Sequence, residues 1–185
     1  SVLAARESLA AELNGLENAD ETIEQTRREL EKAEKSLARL SERAHELRLK
    51  AAKRLDASVL KELRVLGLPH ARFSCSVEME EGNWSRTGAD AVEFLLAANP
   101  GEPLRAVKAV ASGGELARVM LALKTVFAQA DRTPLLIFDE VDSGVGGEVA
   151  RAVGERLTAL ARGRQVLCVT HLPQVACFAQ THFHV

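Results

Sequence analysis

The sequence has few cysteines and no long apolar run, and each lack excludes a class of protein. Only three of the 185 residues are cysteine: Cys75, Cys168 and Cys177. An odd number without a close pair argues against a disulfide framework and for a reducing cytoplasm. No apolar run approaches the roughly 20 residues that span a bilayer. The first ten residues carry Arg6 and Glu7 within a helical pattern and do not resemble a signal peptide.

Two further features concern ligands and completeness. The net charge is −2, which excludes a strong electrostatic attraction of the whole molecule to nucleic acid or membrane. The phosphate-binding P-loop pattern, G-x-x-x-x-G-K-[ST], occurs nowhere. The chain also starts at Ser1, not at methionine, and already in the middle of a helical pattern. We therefore expect a fragment of a longer protein.

Residues 1–66 have the composition of a long, solvent-exposed helix. They contain 13 Lys or Arg, 13 Asp or Glu, no proline and a single glycine, Gly15. Apolar side chains recur every seven residues, at Leu9, Leu16, Ile23, Leu30, Leu37, Ala44 and Ala51. A heptad repeat of this length predicts a coiled coil, and at about 1.5 Å per residue the helix would be roughly 90–100 Å long. The alternative is a solvated single helix.

Residues 67–185 alternate strand and helix patterns and predict an α/β fold. The break at Gly67–Pro69 separates them from the arm. Two strands come first, then a buried helix, and then a strand–helix–strand unit. We predict strands over 71–79 and 92–98, a helix over 114–130, a strand over 134–138, a helix over 147–162 and a strand over 166–170. The strand–helix–strand unit implies parallel strands that are covered on both faces.

A pair of carboxylates directly follows the first strand of that unit, at Asp139 and Glu140. Because burying charge is costly, such a strand must deliver them to an open edge, which in a parallel sheet is the C-terminal edge where ligands bind. There an Asp can hold Mg²⁺, and the next carboxylate can orient or deprotonate a water. The alternative is an ordinary strand end. His171 ends the following strand and should lie at the same edge, although a lone histidine is more often structural.

Two glycine-containing segments lie on either side of the carboxylate strand. Ser112, Gly113, Gly114 and Glu115 open the buried helix, where free N–H groups and the helix dipole suit a phosphate. A capping box formed by the serine and the glutamate is the alternative, but it leaves the two glycines unexplained. The second segment, residues 141–147, contains Asp142 and directly follows the carboxylates. It is either a flexible loop or a contact segment beside the predicted Mg²⁺ site.

Together these motifs resemble the second half of an ABC-type ATPase head. Residues 112–115 resemble the signature motif, although Ala111 stands where leucine is usual. Residues 135–140 resemble the Walker B strand, Asp142 falls in the D-loop, and His171 matches the switch histidine. A coiled coil in place of an upstream P-loop resembles the SMC-like group, whose heads are divided by a long coiled-coil insertion. Within that group, residues 110–118, 138–147 and 169–175 are most similar to the RecN family of bacterial DNA repair proteins.

The resemblance implies the C-terminal half of an ABC-type ATPase head, with a mixed sheet and helices, preceded by a returning coiled-coil helix. In this interpretation residues 1–66 are the arm and residues 67–185 the half-head. The family implies ATP-dependent head dimerisation in double-strand break repair and recombination, with DNA binding or tethering. It also implies the bacterial cytoplasm, at the nucleoid, as the location. Without the Walker A half, this chain alone is predicted to be inactive.

The same resemblance implies the residues that would act on the protomer's own nucleotide. Asp139 would support Mg²⁺, Glu140 would be the water-activating base, and His171 would contact the γ-phosphate of ATP. All three would act with a P-loop in the N-terminal half of the same polypeptide. Hydrolysis would then depend on positioning and electrostatics, as in phosphoryl transfer generally.

The signature residues would act on a second protomer in a homodimer of heads. Ser112, Gly113, Gly114 and Glu115 would close on the ATP held by that protomer. Asp142 would link the two sites across the dimer. ATP would thus join two heads, and hydrolysis would release them and move the arms with any bound DNA.

Two other functions compete with this interpretation. One is a non-catalytic coiled-coil module with a degenerate head, against which the intact Asp139, Glu140 and His171 argue. The other is a transporter subunit, which the arm and the lack of a recognisable membrane-coupling segment disfavour. DNA binding follows from the resemblance only, because the balanced charge of the arm forms no basic stripe.

Overall fold

The computed structural model describes residues 2–80, 82, 84–109 and 113–184. Val110, Ala111 and Ser112 lie outside the described residues, so the first residue of the predicted signature motif has no structural account. Within the described ranges, no helix combines the length and the apolar character that crossing a bilayer requires.

A single helix, α1, spans Val2–Val65, which confirms the predicted long helix. At about 1.5 Å per residue it is roughly 95 Å long. Its heptad side chains are exposed in the single chain at Leu9, Ile23, Leu30, Leu37, Leu40 and Leu47. The end near the head is different, because Val59 and Leu63 are fully buried in the same core as the strands and helices that follow. The last turns of α1 therefore pack as part of the head.

A three-stranded antiparallel sheet lies against the end of α1. Its strands are β1 (Arg72–Met79), β2 (Asp90–Ala97) and β3 (Arg105–Ala106), in the order β1-β2-β3. In the hairpin Arg72 pairs with Ala97 and Met79 with Asp90. Two of these strands were predicted within two residues at each end, whereas β3 is too short for a sequence pattern.

Three side chains, which we call the arm clamp, join the far end of this hairpin to α1. They are His45 and Arg48 on α1 and Asp90 at the start of β2. Arg48 Nη1 donates to Asp90 Oδ2 at 2.5 Å, and His45 Nδ1 lies 2.6 Å from Asp90 Oδ1. The Asp90 side chain is almost fully buried. Because the clamp lies about five turns along α1 from its head end, it holds that part of the helix against the hairpin.

The second sheet is the strand–helix–strand unit that the sequence predicts. Helix α2 (Gly113–Val126) precedes β4 (Leu135–Phe138), α3 (Gly147–Ala161) and β5 (Gln165–Cys168), and a short helix, α4 (Pro173–Ala176), follows. Strands β4 and β5 pair in parallel, with Leu136 opposite Val166 and Phe138 opposite Cys168. The parallel pairing is confirmed. The described strands form two separate sheets, one of three and one of two strands.

The two-stranded sheet is covered on one face only. Leu136 and Phe138 point into the core. On the other face four apolar side chains are exposed: Leu135, Ile137, Leu167 and Val169. The prediction that both faces are covered is therefore wrong for this chain. Successive side chains of a strand point to opposite faces of the sheet, and the described helices pack on the inner face alone. The outer side chains are therefore left exposed.

Candidate functional site

The C-terminal edge of the β4–β5 sheet collects the predicted chemical groups. Asp139 and Glu140 directly follow β4, and His171 follows β5 by three residues. Both carboxylate residues are exposed, and the His171 side chain is 74% exposed. Because the two strands are parallel, all three residues leave the sheet at the same edge. The structure therefore brings together the residues that the sequence predicts there.

Asp142 joins the two strand ends and is buried, with a side chain only 3% exposed. Its Oδ2 accepts a short hydrogen bond from the Thr170 hydroxyl and a second one, at 3.3 Å, from the backbone N–H of His171. The imidazole Nδ1 of His171 lies 3.6 Å from the same oxygen. The Asp142 carboxylate thus holds the segment after β4 against the segment after β5. Its position inside the protomer was not foreseen from the sequence.

The two signature glycines pack closely against the segment that carries the carboxylates. A Cβ atom on Gly113 would lie 2.5 Å from Oε2 of Glu140. A Cβ on Gly114 would lie 2.9 Å from the Ser143 Cβ and 3.3 Å from the carbonyl oxygens of Glu140 and Ser143. At Gly114 these neighbours are backbone atoms or sit directly on the backbone, so glycine is required there, whereas at Gly113 only the end of the flexible Glu140 side chain would have to move. The start of α2 and the residues after β4 therefore form one packed unit.

Glu140 has a backbone conformation that is rare for a residue with a side chain. Its φ angle is +55°, in the left-handed region. Such conformations cost on the order of 1 kcal/mol or more and occur often at functional sites. The Glu140 carbonyl accepts the Ser143 N–H at 3.0 Å, which closes a tight turn after β4. This turn directs the Glu140 carboxylate toward Gly113.

A buried arginine also reaches this turn from α2. Arg118 is only 6% exposed, and its Nη1 donates to the carbonyl oxygen of Ser143 at 2.8 Å. Burial lowers the pKa of Arg118, while the charge of Glu115, one helical turn earlier, opposes the change. No role was predicted for Arg118 from the sequence. It lies four residues after Gly114 and so on the same helix face, and it is the one charged residue in the apolar stretch 116–123, a pattern that could have identified it.

The thiol of Cys168 reports the electrostatics of the sheet edge. Burial, together with the charges of Asp142 and Asp139, raises the pKa of Cys168 to about 11. The thiol therefore stays protonated near neutral pH and is a poor nucleophile. Asp139 and Asp142 therefore place negative charge at this edge, which suits a cation.

Comparisons with known proteins agree with this arrangement. A scan against protein-family models finds no match. The DNA repair protein RecN of Bacillus subtilis is 36% identical over 188 aligned positions, which cover 94% of this chain and 33% of that protein. RecN of Xylella fastidiosa (strain Temecula1) is 38% identical over 183 positions, or 98% of this chain and 33% of that protein. The chain belongs to the RecN family.

The RecN relationship covers the site but only part of the relatives. RecN of Streptomyces coelicolor is 47% identical over 154 positions, which cover 77% of this chain and 27% of that protein. The chain thus spans about one third of the length of the curated RecN proteins that it matches.

Solved structures place this RecN-family chain in the fold of an SMC head. An Smc head domain with an extended coiled coil, bound to the C-terminal domain of ScpA, from Pyrococcus furiosus matches with a TM-score of 0.52 at 15% identity. The match covers 76% of this chain and 34% of that one. An Smc head with a coiled coil and joint from Pyrococcus yayanosii matches with a TM-score of 0.50 at 17% identity, over 72% of this chain and 24% of that one. The predicted fold class, half of an ABC-type head preceded by a long helix, is confirmed.

Proposed function

We propose that this chain supplies the C-terminal half of the ATP-hydrolysing head of an SMC-like DNA repair protein. One observation carries the proposal: the parallel strands bring Asp139, Glu140 and His171 to a single edge, where buried Asp142 joins the two strand ends. Membership of the RecN family supports the DNA repair context.

The P-loop half of the head would come from a part of the protein outside this chain. The exposed apolar face of the β4–β5 sheet supports this. Ile137 and Val169 are 65% and 63% exposed, and Leu135 and Leu167 lie beside them on the same face. Apolar sheet faces are normally covered, because burial contributes about 25 cal/mol per Å². A P-loop half packed there would bring the nucleotide to the edge that carries Asp139.

The residues present fit Mg²⁺ together with a nucleotide. Among the described residues no group of three His, Cys, Asp or Glu side chains could hold a metal alone. Mg²⁺ in nucleotide sites usually has one or two carboxylates and completes its shell with phosphate oxygens and waters. Asp139, an exposed carboxylate at the strand end, meets this requirement, and the bound ion would neutralise charge on the phosphates.

Glu140 is the proposed base, and His171 is the proposed contact to the γ-phosphate. Glu140 is exposed, and its carboxylate lies at the start of α2, with Oε2 2.5 Å from the position that a Cβ on Gly113 would take. To activate a water, it would turn from Gly113 toward the nucleotide. The imidazole of His171 is exposed while its backbone N–H is bound to Asp142. The side chain is thus presented outward on an anchored backbone, as a phosphate contact requires.

The signature residues Ser112, Gly113, Gly114 and Glu115 are proposed to close on ATP in a second copy of the head. The N-terminus of α2 offers free N–H groups and the positive end of the helix dipole, which suit a phosphate. A homodimer joined by ATP would then be released by hydrolysis, which would move the arms and any bound DNA. In this scheme Asp142 transmits between the two sites.

A pair of variants tests this division of roles in the full-length protein, meaning this chain joined to its P-loop half. Glu140→Gln keeps the size of the side chain but removes the base, so ATP-bound dimers should accumulate while hydrolysis falls by roughly 10²-fold or more. Ser112→Arg introduces a bulky side chain directly before α2 in the sequence. ATP should then still bind each P-loop, but the heads should not close.

Mixing the two variants tests whether the signature acts in trans. A heterodimer contains one intact site, built from the base of the Ser112→Arg protomer and the signature of the Glu140→Gln protomer. Partial recovery of hydrolysis in the mixture is the expected result. A mixture that stays inactive, although heterodimers are shown to form, would contradict action in trans by independent sites. Wild-type activity in the Ser112→Arg homodimer would remove Ser112 from the site.

A further inference from the structure

Arg118 occupies an unusual position for a charged residue. It lies on the inner side of α2, among fully buried neighbours such as Val119 and Leu121. Its partner is the backbone carbonyl of Ser143, not a carboxylate, and its Nε has no hydrogen-bond partner among the described residues. Burying a guanidinium without an ion pair is costly, so packing alone does not account for this residue type.

The Ser143 carbonyl is one link in a continuous series of contacts. On one side, α2 reaches it through the Arg118 guanidinium, and Gly114 lies so near that a Cβ there would be 3.3 Å from this oxygen. On the other side, neighbouring Asp142 accepts the backbone N–H of His171. The D-loop is therefore held between the start of α2 and the end of β5.

We propose that Arg118 is a positioning residue that couples the signature end of α2 to the D-loop and, through Asp142, to His171. Closure of a second head on the signature would then adjust the catalytic residues of the same protomer. This inference rests on the proposed function for its consequence, but the coupling itself is a property of the 185-residue chain. The flat, multidentate guanidinium suits the role, because it reaches a carbonyl on another element while staying charged.

The coupling can be tested without nucleotide, by amide hydrogen exchange of the 185-residue chain. Arg118→Met keeps an unbranched apolar side chain and removes the guanidinium donor. Exchange should become about tenfold faster at the amides of Ser143, Val145 and His171, since the first donates to Glu140, directly before the D-loop, and the other two donate to Asp142 within it. The matched control is Arg151→Met, which removes an exposed arginine from α3 and should leave these amides unchanged.

Arg118→Lys is the second variant, in case Arg118→Met does not fold. It keeps the charge but loses the planar fork, so a smaller increase in exchange at the same amides is expected. Wild-type exchange at His171 and Ser143 in the folded variants would overturn the coupling.

The consequence for hydrolysis is tested in the full-length protein. Arg118→Met should leave the KM for ATP within about twofold and lower kcat by roughly 10- to 100-fold, the scale expected for misplaced catalytic groups. Arg118→Lys should recover part of kcat. A purely structural defect would instead lower the fraction of folded protein and leave kcat per folded molecule unchanged, which would overturn the proposal.

Mixing separates coupling from a simple defect of the signature. Arg118→Met would disturb both the signature and the protomer's own His171, so Glu140→Gln partners should not restore hydrolysis to the level reached with Ser112→Arg. Equal recovery in the two mixtures would show that Arg118 serves the signature alone and would overturn the coupling. Absence of turnover in the wild-type full-length protein would refute the proposed function instead, while the exchange result would stand by itself.

Discussion

The two signature glycines should differ sharply when each is replaced by alanine. The new methyl group on Gly114 would lie 2.9 Å from the Cβ of Ser143 and 3.3 Å from two backbone oxygens. None of these atoms can move without moving the backbone. The methyl group on Gly113 would lie 2.5 Å from the end of the Glu140 side chain, whose next atom is 3.7 Å away. That carboxylate can rotate aside.

The expected magnitudes follow from this difference. Carbon atoms in good contact are about 3.5–4.0 Å apart, so Gly114→Ala creates a real overlap. Overpacking of this kind typically costs about 1–3 kcal/mol, and the gain in helix propensity offsets at most about 1 kcal/mol. We therefore expect Gly114→Ala to lower the free energy of unfolding by about 1–2 kcal/mol. Gly113→Ala should change it by less than about 0.5 kcal/mol, because the two small terms nearly cancel.

Equilibrium urea unfolding of the 185-residue chain, monitored by far-UV circular dichroism, measures the change in unfolding free energy for both variants. Because α1 contributes much of the helical ellipticity, exchange of the β4 and β5 amides should be measured in parallel to report on the head. A Gly113→Ala chain less stable than the Gly114→Ala chain would refute the packing described here. A stabilised Gly114→Ala chain would refute it as well, because it would show that the start of α2 does not press on the D-loop.

The arm yields the remaining predictions for the isolated chain. Asp90→Asn removes the charge at the centre of the arm clamp and should lower the free energy of unfolding by about 1–2 kcal/mol. The control Glu93→Gln, in an exposed ion pair, should change it by less than about 0.5 kcal/mol. Equal losses of unfolding free energy in the two variants, measured by urea denaturation, would contradict the clamp. Burial alone would raise the pKa of Asp90, but the clamp hydrogen bonds and charges outweigh burial and lower it. The Asp90 carboxylate therefore contributes to stability above its pKa in the unfolded chain, about 3.9, and this contribution is lost as pH falls through the lower pKa of the folded chain. Wild type and Asp90→Asn should thus converge in stability below about pH 4. Exposed Leu30 and Leu37 should make the chain self-associate through α1, as measured by sedimentation. Leu37→Glu should weaken this association, and the control Ser36→Glu should not. A wild-type monomer with a fully helical arm would count against an apolar seam that needs a partner helix.

Local patterns were sufficient to predict most elements and the edge at which the site lies. The strand before Asp139 was predicted because four apolar residues run directly into two carboxylates, and the structure places β4 over Leu135–Phe138. The position of His171 followed from the rule that parallel strands share an edge, and the observed pairing confirms it. Both inferences depend only on residues close together in the sequence and on one general rule of sheet geometry.

Features that depend on contacts between distant segments could not be predicted. The burial of Asp142 results from a hydroxyl and an N–H that lie 28 and 29 residues further along the chain. The close approach of Gly114 to Ser143 likewise involves two separate segments. The uncovered face of the β4–β5 sheet was predicted to be covered, because an apolar strand pattern does not show whether the covering element belongs to the same chain. The roles of Asp139, Glu140, His171 and the signature residues stay predictions.

The most direct test of the central claim is Mg²⁺-ATP turnover by this chain alone and by this chain joined to its P-loop half. The chain alone lacks the loop that supplies most contacts to the β- and γ-phosphates, so only background turnover is expected. The joined protein should hydrolyse ATP, Glu140→Gln should abolish that activity, and Glu155→Gln, which changes an exposed carboxylate on α3, should preserve it. Clear turnover by the chain alone that Glu140→Gln removes would contradict a head divided between two segments, and no turnover by the joined protein would favour a non-catalytic coiled-coil module.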